Sequence, residues 1–264
     1  MRLNEPDGVV AGGRYIYCVA NTGDSVSLGD IGIDGREVYT VPYRDISAVV
    51  HDCLAEPYDS DDRARLRTWA MAHQSAVESA WDRWRAVLPV SFNTIIKVGA
   101  GADAGQSVRL WMEESYDGLK QKLRAVLGKA EYGVQVFWDP RVIANNLASS
   151  SSEIRDLELE IQSKSRGLAY MYRQRLERLL RLEMEAGADR VFKDCYNRIR
   201  PFVHEVNVEK VKKAEGDIQM IVNLSCLVLT DRYRDLGEEL DRIGQTNGLS
   251  VRFTGPWPPY SFVG

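Results

Sequence analysis

Apolar and polar residues follow two periods along this chain, 2 and about 3.6, and the switches between them mark its elements. Residues 14–20 (RYIYCVA) are β-branched and aromatic on both faces, which predicts a central strand buried on two sides. A glycine-studded stretch (Gly23, Gly29, Gly32, Gly35) follows, and 37–41 and 45–51 then predict two short strands. The acids of 59–62 suit a helix start, and Leu66, Ala70, His73, Val77, Ala80 and Trp84 recur at helical spacing to about Arg85. A strand is predicted over 87–98, with Pro89 near its start. Val108, Met112, Leu119, Leu123 and Leu127 then predict a second amphipathic helix ended by Gly128. Val134, Val136 and Trp138 alternate with polar residues in a further strand, so the first 140 residues predict an α+β sandwich with both helices on one sheet.

The serine run 149–152 is the one low-complexity segment, and it predicts a boundary between domains 1–148 and 149–264. From Ile154 apolar residues hold helical spacing through Leu157, Ile161, Leu168, Tyr172, Leu176, Leu179 and Leu180, with Gly187 as a possible bend before Cys195 and Ile199. Strands are predicted over 202–208 and 218–229. In the second, Met220, Val222, Leu224, Cys226 and Val228 share one face, against Gln219, Asn223 and Ser225. Thr230 and Asp231 are placed to cap a helix with Tyr233, Leu236, Leu240 and Ile243 inside, and Leu249, Val251 and Phe253 alternate in a last strand. The second domain thus reads as long helices followed by a β-β-α-β unit.

The 264 residues carry 34 Lys+Arg against 38 Asp+Glu, a formal net charge of −4, which removes the usual electrostatic footprint for nucleic acid. No window of 18 residues is apolar throughout, and the first eight residues hold acids and a proline rather than an apolar core. A cytoplasmic chain without membrane segment is therefore expected. Cys18, Cys53, Cys195 and Cys226 lie far apart and read as reduced, buried thiols.

Chemistry is hard to place on this pattern. The loop from Gly99 to Gly105 sits between a predicted strand and helix, but its G-x-G-x-x-x-G spacing departs from a dinucleotide fingerprint, and a connecting loop is expected. His51 and Cys53 fall on one strand face, yet no further metal ligands are placed by motif. His73 and His204 read as hydrogen-bonded core histidines. Glu113–Glu114 and Glu238–Glu239 point to solvent. Arg173, Arg175, Arg178 and Arg181 form a cationic stripe that Glu177, Glu183 and Glu185 interrupt, which disfavours RNA. No catalytic residue, metal site or cofactor is assigned, and binding is favoured over catalysis.

The ending from Thr254 to Phe262 (TGPWPPYSF) is unusual: its prolines fix an extended strip bearing Trp257, Tyr260 and Phe262. These aromatics either pin the tail to the body or form a partner-facing patch. This ending resembles that of the gas vesicle F/L family (GvpF/GvpL), and the resemblance runs through the chain. Tyr15 and Tyr17 look like its first strand. His73-Gln74 with Val77-Glu78, then Val87-Leu88-Pro89-Val90-Ser91-Phe92, are similar to its helix and following strand. Gly128 with Glu131-Tyr132-Gly133-Val134 resembles its "G … E-x-G-V" strand entry, and Gly167-Leu168-Ala169-Tyr170 the start of its long helix. Two positions depart: Asn93 stands where the family usually has glycine after the phenylalanine, and Ser91 where it often has arginine.

The resemblance implies a ferredoxin-like N-terminal domain, a C-terminal domain of helices and sheet, and an accessory role in gas vesicle assembly without catalysis. It further implies binding to the hydrophobic main shell protein, protection of it from aggregation during nucleation, and contact with other accessory proteins. Trp257, Tyr260, Phe262, Leu168, Leu176 and Leu179 are the partner-binding residues expected. Two alternatives stand beside it: a small-molecule enzyme using the loop from Gly99 to Gly105, and an adaptor that joins only other accessory proteins.

Overall fold

The computed structural model describes residues 12–97, 103–213 and 216–263. The chain divides into two compact units, Met1–Glu131 with Pro256–Gly264, and Tyr132–Gly255.

In the first unit, β1 (Gly13–Ala20), β2 (Ser27–Gly29), β3 (Val38–Tyr43), β4 (Ile46–Cys53), β5 (Val87–Pro89) and β6 (Ile95–Lys97) form one sheet. Its order is β2-β3-β4-β1-β5, with β6 also on β1. The registers Tyr15↔His51 and Ile16↔Val50 place successive side chains on opposite faces. Ile16, Ala48 and Val50 pack against Val108, Met112, Leu123 and Val126 of α2 (Ala104–Val126). Tyr15, Tyr17 and His51 face the other way, toward Trp69 and His73 of α1 (Arg63–Trp84). The expected α+β class holds. In the first unit α1 and α2 cover opposite faces of the sheet.

Local chemistry accounts for the ends of these helices. Asp62 caps α1 by accepting from the Ala64 N–H at 2.8 Å, and Asp103 caps α2 by accepting from the Gln106 N–H at 2.9 Å. Gly128, with φ of 70°, lets the chain leave α2 through the left-handed region. The single strand expected over 87–98 is two short strands, because Ser91–Thr94 form a turn with Asn93 at φ of 68°. Most of the loop from Gly99 to Gly105, and the first eight residues, lie outside the described residues.

The second unit begins inside β7 (Lys129–Trp138) and returns inside β10 (Leu249–Trp257). Between these come α3 (Pro140–Ser150), α4 (Ser152–Ser163), α5 (Arg166–Ile199), β8 (Glu205–Val208), β9 (Gln219–Leu229) and α6 (Tyr233–Gly244). The β-β-α-β unit expected from sequence is present, and β7 completes its sheet in the order β10-β7-β9-β8. The serine run is therefore a joint between two helices of this unit, with Ser151 accepting from the Ile154 N–H as the cap of α4. Helix α3 was missed: Asp139 accepts from the Arg141 N–H at 2.8 Å and Pro140 occupies the first turn, a start signal the serines obscured. Gly187 does not interrupt α5; the break falls at Lys164 and Ser165, where the backbone turns extended.

Candidate functional site

Three regions hold the residues singled out from sequence. The first is a buried polar and aromatic network in the first unit. The Tyr15 and Tyr17 hydroxyls accept backbone N–H bonds from Asn93 at 3.1 Å and Ile33 at 3.0 Å. Each then spends its own proton on a histidine: Tyr15 to Nδ1 of His73 at 2.9 Å, Tyr17 to Nδ1 of His51 at 2.7 Å. That leaves Nε2 of His51 to donate to the Tyr58 hydroxyl, 2.9 Å away. Burial pushes both imidazoles down to about 4, so they are neutral at neutral pH; Arg36 adds to the effect at His51. Burial also raises the Tyr15 and Tyr17 hydroxyls and pushes Tyr58 up to about 12. The arrangement joins β1, β4, α1 and the turn at Asn93 through neutral groups, with Nε2 of His73 buried and without a hydrogen-bond partner among the described residues.

Beside this network lies a cleft of about 250 Å3 lined by Asp34, Arg36, Cys53, Tyr58, Arg65 and Trp69. Asp34 accepts from the Trp69 indole N–H at 2.8 Å, and the Arg65 guanidinium lies over the Trp69 ring. Burial pushes the Cys53 thiol up to about 11, which keeps it protonated and a poor nucleophile. Among the described residues, no three His, Cys, Asp or Glu side chains gather as a metal site. His204, expected in the core, is exposed just before β8, where only its backbone is held, by the Leu227 carbonyl.

The second region is the tail. Pro258 and Pro259 are buried, Tyr260 and Phe262 are half-buried, and Trp257 is 43% exposed. The backbone N–H and hydroxyl of Ser261 donate to the buried Glu131 carboxylate at 2.8 and 2.6 Å, and Val263 packs against the core of the first unit. The tail is thus held over residues 258–263, while residues 254–257 are exposed.

The third region is the helical hairpin of α4 and α5. Leu176 and Leu179 are half-buried, on the face of α5 that also buries Ala169 and Gly187. Leu168 is half exposed. Around the joint at 164–165, Leu159 of α4 and Tyr170 and Met171 of α5 are exposed by 64, 63 and 66%. Sequence reasoning gives none of these three a binding role, although they fall off the apolar stripe while remaining large and apolar. Further along the helix pair, Glu239 is not the solvent-facing carboxylate expected. It accepts from Arg198 at 2.6 Å and Arg242 at 2.7 Å, tying α5 to α6, and Arg198 holds its carboxyl below the ordinary value.

This two-unit α+β fold is that of the solved gas vesicle proteins. The crystal structure of GvpF from Anabaena sp. PCC7120 superposes with a TM-score of 0.77 at 18% identity, over 96% of this chain and 98% of that one. GvpF from Microcystis aeruginosa gives 0.64, also at 18%, over 96% and 99%. The chain belongs to the GvpL/GvpF family: the model described as gas vesicle synthesis protein GvpL/GvpF matches residues 13–264. Gas vesicle protein L1 of Halobacterium salinarum is 31% identical over 96% of this chain and 91% of its own length. Gas vesicle protein L of Streptomyces sp. is 26% identical over 95% and 92%. Among the described residues, no helix is long and apolar enough to cross a membrane.

Proposed function

We propose that this chain is an accessory factor of gas vesicle assembly that binds the hydrophobic main shell protein and keeps it from aggregating during nucleation. The observation that carries the reading is the exposure of Leu159, Leu168, Tyr170 and Met171 around the α4–α5 joint. Several large apolar side chains left exposed on neighbouring turns of two helices suit an interaction surface. Trp257 is the tail residue still available to a partner, while Leu176 and Leu179 act by supporting the hairpin. The role requires no chemistry, and the buried, neutral histidines are consistent with that. Association with gas vesicles in the cytoplasm follows from the same reading.

The test is light scattering of the shell protein during removal of denaturant, with and without this chain, alongside a pull-down on a soluble shell-protein fusion. Suppressed scattering and capture are expected, and a Met171→Ser, Tyr170→Ser double variant should lose both. Undiminished aggregation with no capture would overturn the reading. Capture of other accessory proteins in place of the shell protein would favour an adaptor.

A further inference from the structure

We propose that the outward face of α5 is an interface between two copies of this chain, paired antiparallel about a two-fold axis that passes between Arg181 and Leu182. The proposal goes beyond the shell-protein reading and does not rest on it. Buried Ala169 and Gly187, with half-buried Tyr172 and Leu176, mark the inward side of the helix. On the opposite side Met171, Arg178, Glu185 and Phe192 recur every seven residues, about two turns, and so stand in one row. The first three are exposed, and Phe192 is half-buried with its ring stacked on Tyr196. Arg175 pairs with Glu153 of α4 at 3.6 Å and Arg190 with Glu183 at 3.7 Å, but among the described residues Arg178 and Glu185 are in no ion pair.

The row runs apolar, cation, anion, apolar, and this order selects both the occupant and its register. A second copy laid antiparallel about that axis brings Met171 onto Phe192 and Arg178 onto Glu185, each contact occurring twice. A parallel copy opposes Arg178 to its own counterpart, and Glu185 likewise. An antiparallel copy slid by seven residues sets arginine on arginine in one direction and glutamate on glutamate in the other. Exposed neighbours fit the same register. Leu182 meets its own copy on one side of the axis, and Asp189 comes opposite Gln174. On the other side Arg181 meets its copy, with Glu185 of both helices within about a turn to offset the repulsion. A uniformly anionic surface, such as nucleic acid or a membrane, gains at Arg178 what it loses at Glu185.

The test is sedimentation equilibrium of the full chain. A dimer that dissociates on dilution, and more readily as salt is raised, is expected. Arg178→Glu and Glu185→Arg, each shown folded by circular dichroism, should each raise the dimer dissociation constant at least about ten-fold, because either change sets like charges together at both ends of the pairing. An equimolar mixture of the two variants should dimerise again. The new carboxylate at position 178 of one chain then meets the new guanidinium at position 185 of the other, and the unchanged Glu185 and Arg178 meet as well. Leu182→Ser should weaken the parent dimer without changing its salt dependence. A parent chain that is monomeric at every concentration tested would overturn the proposal. So would a dimer indifferent to either charge reversal, a mixture that stays monomeric, or capture of anionic vesicles or RNA in place of self-association. Shell-protein scattering separates the two readings: a monomeric parent that suppresses aggregation sinks only the dimer, and a dimeric parent that never suppresses sinks only the shell-protein reading.

Discussion

Asn93 sits where the family resemblance leads one to expect glycine, and the structure supplies a reason the amide can replace it. Its backbone is left-handed, at φ of 68°, a conformation that disfavours most side chains by roughly 1 kcal/mol. The side chain uses that geometry to clamp Tyr58 from both sides: Oδ1 accepts from the Tyr58 N–H at 2.8 Å, and Nδ2 donates to the Tyr58 carbonyl at 3.0 Å. Asn93→Gly removes both bonds, about 1 kcal/mol each. It relieves the backbone strain, but the freer unfolded chain offsets most of that gain. A net loss of about 2 kcal/mol is expected. Asn93→Ala loses the same bonds and keeps the strain without any local hydrogen bond, for a loss of about 3 kcal/mol. For a chain of this size those values lower Tm by roughly 4–8 °C and 6–12 °C. Urea unfolding followed by tryptophan fluorescence resolves the order Asn, then Gly, then Ala. Alanine as stable as glycine would refute the strain, and a glycine variant more stable than the parent would refute the clamp.

Three further outcomes are expected. His51 and His73, held neutral at about 4 in the folded chain against 6.5 ordinarily, stabilise the fold fully above pH 6.5 and lose that contribution as pH falls toward 4, roughly 2 kcal/mol per ring between pH 7.5 and 5. The urea midpoint should therefore fall over that range, and His51→Gln should flatten the fall by about half; a parent midpoint constant from pH 7.5 to 5 contradicts the assignment. Glu239→Gln should destabilise by about 1–3 kcal/mol at pH 7. Because Arg198 and Arg242 lower the Glu239 pKa below 4.5, the difference between variant and parent should shrink as pH drops through that lowered value, read as Tm against pH. A β-carbon at position 133 would lie 2.7 Å from the Thr254 Oγ1, so Gly133→Ala should cost about 1–3 kcal/mol and Thr254→Ala should restore most of it; failure of the double variant to recover argues against the cross-strand clash.

Sequence patterning found the elements whose burial follows a period. The stripe Leu236, Leu240, Ile243 and the alternation Val222, Leu224, Cys226, Val228 are buried as their spacing requires. The family resemblance also came from the sequence, carried by the tail and the E-x-G-V strand entry. Pairing partners were another matter. Residues 129–138 show strand alternation, but nothing in their order says that β7 joins the sheet of β9 and β10 and leaves that of β1. Alternation reports that two faces differ, not which strand lies alongside. The same holds for the two faces of the β1 sheet: Tyr15 and Ile16 are both buried, so apolarity alone could not assign α1 and α2 to opposite sides. Glu239 was misplaced for a related reason. Its neighbour Glu238 is 72% exposed while its own side chain is 12% exposed, a difference set by Arg198 of another helix.

Some residues at family-like positions are fixed by the interior, whereas Leu168, Tyr170 and Trp257 also carry the resemblance and are exposed. Asn93 needs its left-handed turn, Glu131 receives Ser261, Gly133 clears Thr254, and Tyr15 and His73 complete a buried network. Each of these answers to the interior, where a wrong group leaves a polar atom unpaired or an atom without room. Leu159, Tyr170 and Met171 instead leave most of their surface exposed. Substitution within the first set should therefore lower stability, and activity only in proportion to folded protein. Substitution within the second should leave stability within about 0.5 kcal/mol of the parent while changing what is bound. A stability-neutral variant at Met171 that no longer suppresses shell-protein aggregation, set beside an Asn93 variant whose suppression per folded molecule is unchanged, would separate the two roles in one chain.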